Sequence, residues 1–141
     1  MSGAGSTAVA AVFVWLGMVL AISFLEAPLK FRAPGVTLEV GLGIGRLVFR
    51  ALNFCEVLFA ALIVGTFAFD APALRVEIAA AVAIGSLFVQ VLLVRPALTR
   101  RSDAVLAGAD APRSRGHYVY IGFEVIKAMS LLVTGMLLLN V

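Results

Sequence analysis

Four apolar stretches, each long enough to cross a hydrocarbon core about 30 Å thick at about 1.5 Å per helical residue, constrain this chain more than any other feature. They cover roughly residues 8–25, 51–69, 78–94 and 118–140. Because they consume most of the 141 residues, no soluble domain is left, and the longest connection runs only from 96 to 116. With 62% hydrophobic and 13% charged residues and a mean hydropathy of +1.10, the chain lies outside the range of soluble domains. The expected fold is all-α: one integral membrane four-helix bundle, with helices over about 8–26, 37–69, 74–95 and 117–140. The spans differ in polar content and show no internal repeat, so a homo-oligomer or a membrane-complex partner would have to supply any symmetry.

Basic residues set the expected orientation, because Lys and Arg flanking membrane segments stay on the cytoplasmic side. Lys30, Arg32, Arg46, Arg50, Arg95, Arg100, Arg101, Arg113 and Arg115 fall at the connection between spans 1 and 2 or between spans 3 and 4. These are nine of the eleven basic residues. Arg75 lies on the other side and Lys127 lies within span 4. Both termini are therefore expected outside a membrane of the bacterial inner (plasma) type, with loops 27–37 and 96–116 cytoplasmic. The first residues, MSGAGSTAVAAVF, carry no basic cluster, so span 1 reads as a retained helix rather than a cleaved signal. The net charge of +3 is explained by these loops and by attraction to anionic membrane lipids, not by nucleic-acid binding. A lone Cys55 forms no intramolecular disulfide and is too little for a thiolate metal site.

Local punctuation places the spans. In SFLEAPLKFRAPG, two prolines bracket a basic-aromatic segment expected to leave the helix, with Phe31 returning to the lipid. Thr37 is suited to cap a helix of about 30 residues running to Phe69. Gly41 and Gly45 allow close helix approach. Pro96 is expected to mark the exit of span 3, and residues 104–107 a possible interfacial turn.

The informative residues are the polar ones inside the spans. At 100° per residue, Arg46, Arg50 and Asn53 share a stripe on helix 2, with Glu39 two turns earlier and Glu56 about 60° beyond Asn53. On helix 4, His117, Tyr120, Glu124 and Lys127 fall within about 80°. Glu26 and Ser23 on helix 1 and Gln90 on helix 3 lie at similar depths. An unpaired charge there would cost at least about 2.5–3.5 kcal/mol, so Lys127 is expected to pair with Glu56 or Glu124, and Glu26 or Glu39 with Arg46 or Arg50. Such a network can serve only to fix helix register. Its composition also suits a cytoplasm-facing polar cavity that binds or transports a small polar or anionic ligand through Arg46, Arg50, Asn53, Glu56, Gln90, His117, Tyr120, Glu124 and Lys127. No catalytic residue or metal site is expected. His117, the only histidine, reads as an interfacial hydrogen-bonding residue rather than a haem ligand.

Taken with EAPLKFRAPG, GIGRLVF, VRPAL and HYVYIGFE, the chain resembles the TMEM205-like, DUF4149-type four-helix membrane proteins, a resemblance that implies topology more than activity. RALNFCE is similar to the Arg-Ala…Asn…Glu signature of the MAPEG family, trimeric membrane enzymes that use glutathione. That resemblance implies Arg50, Asn53 and Glu56 around a glutathione held between subunits, with Tyr118, Tyr120 and Arg115 at the family's later positions. Here Arg50 and Asn53 are three residues apart, where the family spaces them by four. A third role, an accessory subunit in a larger membrane complex, would bury the polar face against a partner.

Overall fold

The structure is a computed structural model that describes residues 1–108 and 115–140. Among these every regular element is helical. We number four helices: α1 (Gly3–Arg32), α2 (Leu38–Phe69), α3 (Leu74–Leu106) and α4 (Arg115–Leu139). All four are long and apolar enough to cross a membrane. Ser2 opens α1 by accepting a hydrogen bond from the Gly5 amide at 2.9 Å, and Thr37 opens α2 by accepting one from the Val40 amide at 3.2 Å. Each supplies an acceptor that the first turn of a helix otherwise lacks.

Two prolines expected to end helices do not. In α1 the backbone runs as an α-helix over Gly3–Val19, widens to a π-helix over Leu20–Glu26, and continues through Pro28 to a 3-10 turn at Lys30–Arg32. In α3 it is α-helical over Leu74–Val89, π-helical over Gln90–Val94 and α-helical again through Pro96 to Leu106. A proline inside an α-helix loses one hydrogen bond, and its ring collides with the carbonyl four residues back. Just before each proline the amide reaches five residues back instead, Ala27 to Ile22 and Arg95 to Gln90. The wider turn relieves that collision, so the chain keeps its direction. Consequently the expected exit at Pro96 is replaced by three further turns of helix, and the expected turn at 104–107 is mostly helical. Phe31 lays one side of its ring over Gly41 of α2, where an added Cβ would stand 2.1 Å from a ring carbon, and remains partly exposed.

The core lies where α1 is wedged between α2 and α4, while α3 packs along α4 and touches α2 little. Trp15, Val12 and Val19 of α1 meet Ala60 and Ile63 of α2, Ala83 and Leu87 of α3, and Leu131 of α4, all buried. The outer faces carry exposed Leu20, Phe54, Leu58, Val64, Ile78 and Leu92, an apolar surface suited to hydrocarbon rather than water.

Candidate functional site

Midway along the bundle, all four helices contribute to one buried ion cluster. Lys127 of α4 and Glu56 of α2 are fully buried, and Glu124 of α4 is 1% exposed. The Lys127 ammonium pairs with Glu56 Oε2, with Glu124 Oε1 at 2.6 Å, and donates to Gln90 Oε1 of α3 at 2.9 Å. Gln90 uses its amide nitrogen toward Glu124 Oε1 at 3.3 Å and toward the Tyr120 carbonyl at 3.2 Å. From α1, the Trp15 indole donates to Glu56 Oε2 at 2.8 Å and the Ser23 hydroxyl to Glu124 Oε2 at 2.5 Å. Glu56 Oε1 is buried without a hydrogen-bond partner, as is Asn53 Oδ1 one turn earlier.

Toward the end bearing most of the basic residues, the helices splay around a cavity of about 490 Å³, and Glu124 forms part of its lining. Its walls include Phe24, Phe31, Leu42, Phe49, Leu98 and Ile121, while Lys30, Arg46, Arg95, Arg101, His117 and Tyr120 supply polar groups. The cations are not equivalent. Arg46 is paired with Asp103 at 2.6 Å, and Lys30 lies 3.9 Å from Glu26. Arg95 pairs with no carboxylate among the described residues. Its guanidinium stacks on the rings of Phe49 at 4.9 Å and Tyr120 at 4.7 Å, donates to the Tyr120 hydroxyl at 2.9 Å, and leaves a buried Nε–H without an acceptor. Stacking between aromatic faces holds a guanidinium in place while leaving its edge available for hydrogen bonding.

The expected site residues divide into three groups. Glu56, Gln90, Glu124 and Lys127 converge on the ion cluster, and Lys127 touches both carboxylates rather than one. Arg46, His117 and Tyr120 line the cavity together with Glu124. Arg50 and Asn53 do neither: Arg50 is exposed on α2 outside the cavity, and Asn53 is half-buried. The pairing expected of Glu26 or Glu39 with Arg46 or Arg50 is also not formed. Glu26 faces Lys30 one turn along its own helix, and the extension of α3 beyond Pro96 brings Asp103 to Arg46. Within the chain, Glu56 is committed to Lys127 inside the bundle while Arg50 is exposed.

Three participants escape a count of stripes. Arg95 reads as an end-of-span topology charge, since five residues at 100° each place it about 140° from Gln90. The π turn between them brings both onto the face toward α4, where each bonds Tyr120. Trp15 carried a usable signal, because a tryptophan near the middle of a span, away from the interface, needs a partner for its N–H. Lys30 approaches within 5.8 Å of the Phe49 ring centroid because Gly45 leaves room for its side chain.

Beyond Lys127 the remaining buried hydroxyls are used locally. Thr66, Ser86, Ser130 and Thr134 each donate to a carbonyl of their own helix. The cavity therefore ends at the ion cluster rather than continuing as a polar path to the opposite end, where a separate recess of about 280 Å³ is lined by Ser2, Thr66 and Asp70 among others. No family model, curated protein or solved structure matches the chain.

Proposed function

We propose that this chain is a plasma-membrane protein with both termini outside, whose cytoplasm-facing cavity binds a small organic anion bearing an apolar body. The observation that carries this reading is Arg95, a guanidinium fixed between two aromatic rings, paired with no carboxylate among the described residues, and with a buried N–H that lacks an acceptor. An arginine that served only topology would put its charge in water, and one that served only packing would pair it. A carboxylate, sulfonate or phosphate entering the cavity would meet Arg95 in the bundle and Lys30 and Arg46 nearer the rim, while its apolar part rested on the surrounding aromatic and aliphatic side chains. The volume lies within the range of small-molecule sites. Transport is the natural extension, but the intrahelical hydroxyl bonds beyond Lys127 mean that passage requires the helices to rearrange.

The test is binding of a fluorinated benzoate to the purified full chain in lipid nanodiscs, followed by fluorine NMR, with the matching uncharged benzamide as reference. Arg95→Gln should weaken benzoate binding by about tenfold or more, the loss of one charge-assisted hydrogen bond. Arg100→Gln, outside the cavity, should leave it unchanged. Equal affinity in both variants, or equal affinity for the benzamide, would overturn the reading.

A further inference from the structure

The ion cluster holds two carboxylates and one ammonium, which leaves an uncompensated negative charge if every group is ionised. Such a charge is costly in the middle of a membrane bundle, where water cannot screen it. The groups facing the cluster do not remove it. Trp15 and Ser23 from α1 and Gln90 from α3 are neutral; the Tyr120 carbonyl accepts from the Gln90 amide; and Arg95, bonded to the Tyr120 hydroxyl, belongs to the cavity. Lys30, Arg46, Arg101 and His117 lie among the cavity's lining groups.

Hydrogen bonding distinguishes the two carboxylates. Glu124 receives three donors over its two oxygens, from Ser23, Gln90 and Lys127. Glu56 receives Trp15 and Lys127 on Oε2 alone, and its Oε1 is buried without a donor. Ionised carboxylates are stabilised by the donors they receive, so neutralising Glu56, which has two, forfeits less than neutralising Glu124, which has three.

We infer that the Glu56–Lys127–Glu124 cluster is a proton-binding site that holds one proton on Glu56 and exchanges it with the cavity through Glu124. Glu124 lines the cavity and Lys127 touches both carboxylates, so exchange needs no group beyond these three. Glu124 takes a proton from a hydronium ion in the cavity and releases water, Lys127 passes one of its own to Glu56 Oε2, the oxygen it touches, and Glu124 returns the first to Lys127. One O–H bond has then formed on Glu56, and every other group is as it began. The proton itself does not depend on the anion-binding reading. Its consequence does: with the proton bound the cluster is neutral beside the cavity, and without it the cluster repels an anion held near Arg95. Anion and proton therefore favour each other's binding by the same factor.

Infrared spectroscopy of the ligand-free full chain in lipid reads the proton directly, through the C=O stretch of a protonated carboxyl and its shift in heavy water. The wild type at neutral pH should show this band, and Glu56→Gln, nearly the same shape, should lack it. Glu124→Gln should lack it too, since the remaining carboxylate then matches the lone ammonium, whereas Lys127→Met should strengthen it. No such band in the wild type, or an unchanged band in Glu56→Gln, overturns the proposal. In the second arm, affinity for the fluorinated benzoate should fall about tenfold as the band is titrated away with rising pH, and in Glu56→Gln it should stay constant across that range. A constant affinity in the wild type overturns the coupling. Absence of benzoate binding at every pH would remove the cavity reading and leave the proton to be decided by the band alone.

Discussion

Replacing Lys127 with methionine should be the most damaging single change in the bundle, and its cost can be worked from the contacts. The side chain is similar in length and apolar, so the fit is largely kept and the charge is lost. The ammonium bonds Glu124 at 2.6 Å and Gln90 at 2.9 Å and pairs with Glu56, with both carboxylates essentially inaccessible to water. Removing one partner from a buried pair costs about 3–5 kcal/mol, because the charges left behind have neither water nor a counter-ion. Protonation of the orphaned carboxylate softens that penalty, so we expect the lower part of the range. Trp15, the only tryptophan, donates to Glu56 and so reports on the cluster itself. Denaturant unfolding followed by its emission should show Lys127→Met less stable by about 3 kcal/mol. Adding Glu124→Gln should recover part of that loss, a non-additivity expected of residues in one network. Stability within about 0.5 kcal/mol of the wild type would refute the argument, since surface-like substitutions have effects of that size.

Gly41→Val should loosen the turn between α1 and α2, because a Cβ at Gly41 would lie 2.1 Å from Phe31, and the displaced ring should cost about 1–3 kcal/mol in the same unfolding assay. Gly43→Val, which meets no neighbour, is the matched control. Reporter fusions at Gly3 and Gly108 should register outside and cytoplasm respectively; the reverse would overturn the reading of the basic residues.

Much of this architecture is legible in the residues. The spans follow from apolar length, the start of α2 from Thr37, and the meeting of Glu56, Gln90, Glu124 and Lys127 from depth and helical phase alone. What the phase argument misses is the effect of the π turns. Uniform steps of 100° set Arg95 apart from Gln90 and stop α3 at Pro96, yet the widened turn carries the helix past the proline. It brings Arg95 to Tyr120 and the following helix brings Asp103 to Arg46. Arg50 lies outside the cavity for a different reason: stripe membership gives an angle, not which neighbour occupies that side, so Arg46 lines the cavity while Arg50, one turn on, is exposed. The proton store was similarly hidden, because it depends on which carboxylate oxygen lacks a donor.

The central claim is that an organic anion sits against Arg95 in the cytoplasm-facing cavity. Its most direct test is the position of the fluorinated benzoate, read by nuclear Overhauser transfer between its fluorine and assigned protons of the nanodisc-embedded chain. The account predicts contacts with Phe49 and Ile121, which line that cavity. Contacts instead with Phe67 and Leu138, which line the recess at the opposite end, would contradict it.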